Sequence, residues 1–112
     1  MESQIELNES RIHLYDELCK LNPTLAGVIE DSLAQIYTTG ALDVKIKYLI
    51  ALAIALTSSC QNCVLAQLTR ALDAEATKEE IMEVISIVFA MRGTTGVGES
   101  LRVVKYLEEL TR

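Results

Sequence analysis

The stretch Tyr48-Leu49-Ile50-Ala51-Leu52-Ala53-Ile54-Ala55-Leu56 limits what this chain can become more than any other. Wound into a helix, its apolar side chains point in every direction, so no face is suited to water. Asp43 stands just ahead as an N-cap candidate, and Ser58-Ser59 closes the run. The pattern predicts a central buried helix contacted on several sides. Its alanines predict close approach by the neighbours, which the rest of the chain has to supply.

That supply is helical throughout. Residues 2 to about 21 put Ile12, Tyr15 and Cys19 on one stripe, with Leu14, Leu18 and Leu21 beside it. At Asn22-Pro23 the first helix stops and a second starts, with Asn22 as N-cap and Pro23 in the first turn. The second helix carries Leu25, Val28, Ile29, Leu33, Ile36 and Tyr37, and is predicted to end at Thr38-Thr39-Gly40 with Gly40 left-handed. Thr77-Lys78-Glu79-Glu80 has the spacing of a capping box and opens a fifth helix through Ile81, Val84, Ile85, Val88, Phe89 and Met91. Gly93 to Gly98 is predicted to break it. A last helix then runs from about Glu99 through Leu101, Val104, Leu107 and Leu110, with Lys105, Glu108 and Glu109 on a solvated face. No segment alternates with period two, and there is no internal repeat or linker. The expectation is one all-α domain over residues 1–112, of about six helices.

Size and charge narrow the partners. A chain of 112 residues with half of them hydrophobic has too little interior for its apolar side chains, so some should be buried between copies in a homo-oligomer. Sixteen acids against ten bases leave a net charge of −6, which argues against nucleic acid and anionic membrane surfaces. No apolar run approaches the roughly 18 residues of a membrane span. The acidic, polar start Met1-Glu2-Ser3-Gln4 does not look like a secretory signal, so a cytoplasmic location is expected.

The chemical signal is Ser58-Ser59-Cys60-Gln61-Asn62-Cys63. Ser58 or Ser59 is expected to cap a fourth helix, Cys60 to about Leu72, with both thiols on its first turn. Residues three apart are neighbours on a helix, so the two sulfurs can close a disulfide. The free N–H groups and dipole of a helix start favour thiolate at Cys60, which makes Cys60 the expected attacking thiol and Cys63 the resolving one. A zinc site competes with this reading, but zinc wants four ligands and the pair supplies two. Cys19 and His13 are distant in sequence and no second pair exists, so neither metal nor cofactor is expected. A third reading is that the two cysteines merely pack at a helix start. Gly93-Thr94-Thr95-Gly96-Val97-Gly98-Glu99-Ser100 invites a phosphate-loop reading, but Glu99 stands where the lysine is needed and no strand precedes it. His13 is expected at a surface or interface, Met82 and Met91 in the core, and Cys19 as an inert thiol.

Gly40 through Ala53, then Cys60-Gln61-Asn62-Cys63, then Thr77-Lys78-Glu79-Glu80-Ile81 resemble, in order and spacing, the carboxymuconolactone decarboxylase family. Within it they are most similar to the alkyl hydroperoxidase D-like branch, over roughly residues 22–98. The resemblance implies a small helical homo-oligomer, commonly a homotrimer or homohexamer. It also implies a Cys-x-x-Cys that reduces peroxides or disulfides in oxidative stress defence and is re-reduced by a dithiol partner. That branch joins the thiols to a relay, a glutamate twelve residues before the first cysteine and a histidine four after the second. Here Tyr48 and Gln67 occupy those positions, and Asn62 lies between the thiols. A phenol of pKa about 10 is a poor base at neutrality and an amide has no basic site, so Tyr48 and Gln67 remain as hydrogen-bond partners of the thiols. The resemblance thus favours thiol–disulfide exchange by Cys60 and Cys63 over relay-driven peroxidase chemistry. Beside it stand a non-catalytic oligomeric binding module and a lactone decarboxylase-like enzyme. The decarboxylase would need a cationic or histidine-bearing pocket, and the sole histidine, His13, lies in the first helix.

Overall fold

Side-chain caps set most of the helix starts in the computed structural model, which describes residues 1–111. Ser3 Oγ accepts the Glu6 N–H at 3.2 Å and starts α1 (Gln4–Leu21). Asn22 Oδ1 accepts from Leu25 at 3.1 Å ahead of α2 (Pro23–Ile36), and Asp43 Oδ1 from Ile46 at 2.9 Å ahead of α3 (Val44–Thr57). After α4 (Gln61–Asp73), the expected capping box opens α5 (Lys78–Arg92). Thr77 Oγ1 takes the Glu80 N–H at 3.1 Å, while Glu80 Oε1 takes the Thr77 N–H at 2.8 Å. Each such cap satisfies N–H groups that a helix start leaves without partners. Lys45 Nζ reaches Glu80 Oε2 at 2.9 Å, tying the starts of α3 and α5 together. These helices and α6 (Thr94–Leu110) make an all-α architecture, and none of the described helices is long and apolar enough to cross a membrane.

The core forms where α3 packs against α4, α5 and α6. Leu52, Leu56, Leu65, Leu68, Ile81, Val88 and Val103 are essentially sealed from water, each worth about 1.5–3 kcal/mol of burial. The predicted central helix is therefore present, but it is not covered all round. Leu49, Leu52, Ala55 and Leu56 are buried, while Ile50 and Ile54, one turn apart, remain 44% and 61% exposed. No described element covers those two side chains.

α1 packs against α4 and α6 at the edge of this core, and α2 stands off from it. α2 packs on α1, is tied to α3 at its end by Lys47, and buries none of its residues. Ile5 and Leu7 of α1 pack against the core and its Gln4 and Asn8 are buried, whereas Ile12, Leu14, Leu18 and Leu21 are exposed. Arg102 Nη1 donates to Gln4 Oε1 at 2.7 Å. Glu109, expected on a solvated face beside Lys105, instead receives Ser3 Oγ–H at 2.6 Å and the Gln4 N–H at 2.7 Å. The start of α1 offers free N–H groups and a positive dipole end, and a carboxylate answers both. Those bonds, the one from Ser3 first, hold the Glu109 pKa below the usual carboxylate value. Lys105 lies 4.0 Å from Glu108.

Two glycine expectations are corrected. α2 ends at Ile36 without a left-handed Gly40; Lys47 Nζ donates to the Ile36 and Thr38 carbonyls at 2.8 and 2.7 Å and takes over the role. The break between α5 and α6 is one residue, Gly93, at φ 75°, and α6 already runs from Thr94. Gly96 sits inside that helix because α6 crosses Val88 of α5 so closely that a Cβ would fall 2.6 Å from Val88 Cγ1. The exit from α4 uses a left-handed residue that is not glycine. Glu75, at φ 69°, donates to the Leu72 carbonyl at 3.0 Å, and Ala76 to Ala71 at 2.9 Å, the two bonds of a Schellman motif.

Candidate functional site at the start of the fourth helix

α4 begins on a sulfur. Cys60 is itself the N-cap, extended at φ −102°, and its Sγ accepts the Cys63 N–H at 3.2 Å. The serines expected to cap this helix do other work. Ser58 is the C-cap of α3, with Oγ donating to the Ile54 carbonyl at 2.8 Å, and Ser59 turns the chain in the left-handed region at φ 54°. α3 and α4 follow each other so tightly that the serines finish one helix and Cys60 starts the next.

Cys60 and Cys63 are joined by a disulfide, their Cα atoms 5.2 Å apart. Cys60 is half-buried and Cys63 exposed. Two clefts meet at Cys63. The larger, about 430 Å³, lies between α1, α2 and α4, walled by Leu14, Leu18, Ile29 and Leu33, with Arg11 and Arg70 reaching into it. The smaller, about 290 Å³, is bounded by Tyr37, Ala51, Ile54 and Ser58. Asn62 edges the larger cleft, and Cys19 of α1 is a free, half-buried thiol.

The structure brings Gln67 to the cysteines and puts Tyr48 one ring behind. Gln67 lines both clefts beside Cys63, and its Oε1 is shielded from solvent with no hydrogen-bond donor among the described residues. Tyr48 lies in a separate groove with Arg70 and Asp73, its ring stacked on Tyr37 at 4.4 Å between centroids. Tyr37 shares the smaller cleft with Cys63, and Tyr15 the larger.

Sequence reasoning misses Tyr37, Arg11 and Arg70. Arg70 had a signal, since Cys63, Gln67 and Arg70 follow the four-then-three spacing of one helix face. Arg11 and Tyr37 had none, because only the chain fold carries α1 and the end of α2 to this place. Arg11 Nε donates to Asn8 Oδ1 at 2.9 Å. Burial first, and the nearby Arg70 cation second, lower the Arg11 pKa, but a guanidinium stays charged at neutrality. Tyr15, on the same wall, has its pKa raised by burial and then by its hydrogen bond with Cys19. His13 is exposed on α1, and no three His, Cys, Asp or Glu side chains among the described residues group as a metal site.

The fold and site together define a helical domain with a Cys-x-x-Cys disulfide at a helix start, opening on a partly apolar, partly cationic cleft. The carboxymuconolactone decarboxylase family model matches residues 23–106, and the chain belongs to that family. It is 28% identical over 96 residues to an uncharacterized protein of Cupriavidus necator, spanning 86% of this chain and 85% of that one. It is also 32% identical over 75 residues to uncharacterized protein 4 in the cox locus of Paracoccus denitrificans, covering 67% and 68% of the two chains. Among solved structures, apo-lpg0406, a family protein from Legionella pneumophila, shares the fold over 100% of both chains, with TM-score 0.90 at 22% identity. A family protein from Thermotoga maritima, named as having a possible involvement in antioxidative response, superposes with TM-score 0.76 at 28% identity over 92% of this chain and 87% of its own.

Proposed function

We propose that the protein is a thiol–disulfide oxidoreductase, cycling Cys60 and Cys63 between dithiol and disulfide while reducing small disulfides and, more slowly, peroxides. The observation that carries this is the Cys60–Cys63 disulfide with one sulfur turned to a cleft large enough for a small molecule. The antioxidative description of the Thermotoga maritima relative points the same way.

The geometry favours a division of labour opposite to that expected from the motif alone. An incoming thiolate meets Cys63, the exposed sulfur, and Cys60 leaves. Cys60 is the better leaving group because the Cys63 N–H and the helix start stabilise its thiolate. In the other direction, Cys63 attacks the substrate disulfide and expels one thiolate. Cys60 then attacks Cys63 Sγ, expels the second thiolate and closes the pair. Gln67 can donate an N–H to sulfur or orient a water, but it cannot take a proton. The attacking thiol must then lose its proton to solvent, so exchange accelerates as pH rises.

The test is a pair of variants exposed to oxidised glutathione. Cys60→Ser should accumulate a mixed disulfide on Cys63, while Cys63→Ser accumulates little. Faster trapping on Cys60 would reverse the roles, and no trapping on either, with no closure in the native chain, would end the redox reading.

Self-association belongs to the same reading. Ile50 and Ile54 of α3 and Ile87 of α5 line an exposed apolar groove of about 380 Å³, which a second copy of this chain would cover. Sedimentation velocity should show an oligomer that Ile54→Glu weakens; a monomer at all concentrations would contradict it.

A further inference from the structure

The larger cleft holds two guanidinium groups with no acid to answer them. Among the described residues neither Arg11 nor Arg70 lies within 4 Å of a carboxylate. Among the described residues Arg11 spends only Nε, on Asn8, and Arg70 makes no side-chain hydrogen bond. Asp73, one turn beyond Arg70 on α4, shares a different groove with it and stays outside ion-pair distance. In a chain of net charge −6, two unneutralised cations facing one cleft are a local reversal of sign. The opposite wall is apolar, built from Leu14 and Leu18 of α1 and Ile29 and Leu33 of α2, and Cys63 opens on the same space.

We propose that this cleft selects anionic substrates: disulfides with a carboxylate on an apolar body, the carboxylate held by Arg11 and Arg70 and the sulfur presented to Cys63. This rests on the exchange reaction above. One substrate disulfide and the reduced pair give two substrate thiols and the Cys60–Cys63 disulfide; two electrons pass to the substrate, and the two cysteine protons end on the released thiols. Guanidinium groups suit the anion because they bind carboxylates through paired, charge-assisted hydrogen bonds. The three leucines and Ile29 suit an apolar body, which a highly charged peptide disulfide lacks.

The test uses the reduced full-length chain and two aromatic disulfides: 5,5′-dithiobis(2-nitrobenzoate), which carries a carboxylate on each ring, and neutral 4,4′-dithiodipyridine. The readout is the ratio of the two second-order rates. Arg70→Ala and Arg11→Ala should each lower that ratio about tenfold, the loss of one charge-assisted contact. Arg70→Lys should recover part of it, and Arg92→Ala, remote from the cleft, should leave it unchanged. A second measurement needs no variant. Raising salt from about 20 to about 500 mM should slow the anionic reagent on the native chain, because screening removes the local attraction. General repulsion by a chain of net charge −6 would give the opposite sign. If both reagents oxidise the pair but the ratio ignores the arginines and salt speeds the anionic one, anion selection is overturned and the exchange reaction stands. If neither reagent yields a Cys60–Cys63 disulfide, the exchange reaction itself fails.

Discussion

Gly96→Ala adds one methyl at the crossing of α5 and α6. Its Cβ would lie 2.6 Å from Val88 Cγ1, 3.3 Å from the Val88 carbonyl oxygen and 3.4 Å from Arg92 Cβ. Carbon atoms rest at about 3.5–4.0 Å, so the helices or the valine must give by about 1 Å. Val88 is 2% exposed, and a β-branched side chain in a helix has one strongly preferred rotamer, so it has nowhere to swing. Overpacking of this kind costs about 1–3 kcal/mol. Alanine's better helix propensity returns at most about 1 kcal/mol, and less in a first turn. The expected net loss is about 1–2 kcal/mol, with a melting point lower by about 4–8 °C per kcal/mol in a domain of this size. Urea denaturation followed by circular dichroism, at one protein concentration, reads the loss. Val88→Ala removes the offending Cγ1, so the double variant should be more stable than the sum of the two single losses, with a coupling of about 0.5–3 kcal/mol. A Gly96→Ala protein as stable as the native chain would refute the close-crossing account of α5 and α6.

Glu75→Gly should raise stability by roughly 0.5–1 kcal/mol, since a left-handed residue other than glycine is strained; a lower denaturation midpoint would count against the Schellman exit from α4. Ser59→Val should cost about 1–2 kcal/mol at the left-handed turn before Cys60, and an unchanged midpoint would mean the turn is not held there. Acid should weaken the protein in a specific way. Glu109 and Glu80 have folded pKa values below their unfolded ones, so their contribution is complete above about pH 4.3 and disappears as pH falls through the lowered values. Glu109→Ala should flatten that acid limb and expose the first amides of α1 to hydrogen exchange. A limb of unchanged steepness would show that Glu109 does not clamp α1.

Most of the fold was legible because capping chemistry is local. Asn22-Pro23, Asp43 and Thr77 with Glu80 mark helix starts through bonds spanning three residues, and all of them form. The misreadings concern contacts that no local pattern encodes. Glu109 looks like a solvated acid until α1 is placed beside it, more than a hundred residues away in sequence. Gly96 looks like a helix breaker until Val88 is found against it, and Lys47 does what Gly40 was expected to do. At the site, spacing found Cys60 and Cys63, and the family resemblance pointed to Gln67, one turn beyond Cys63 on the same helix. The cationic side of the cleft is assembled from α1 and α4, and Tyr37 arrives from the end of α2; both depend on where the chain fold carries α1 and α2. Spacing also misplaced the cap by one or two residues, and that shift makes Cys60 the sulfur that receives the Cys63 N–H.

The most direct test of the redox account is the state of the three cysteines across a series of glutathione redox buffers, read by differential alkylation and mass spectrometry on the native chain. The account predicts that Cys60 and Cys63 leave the alkylated pool together, in one two-electron transition, as a single intramolecular disulfide, while Cys19 remains alkylatable throughout. Persistent alkylation of both Cys60 and Cys63 under oxidising buffer, or pairing of either with Cys19, would contradict it.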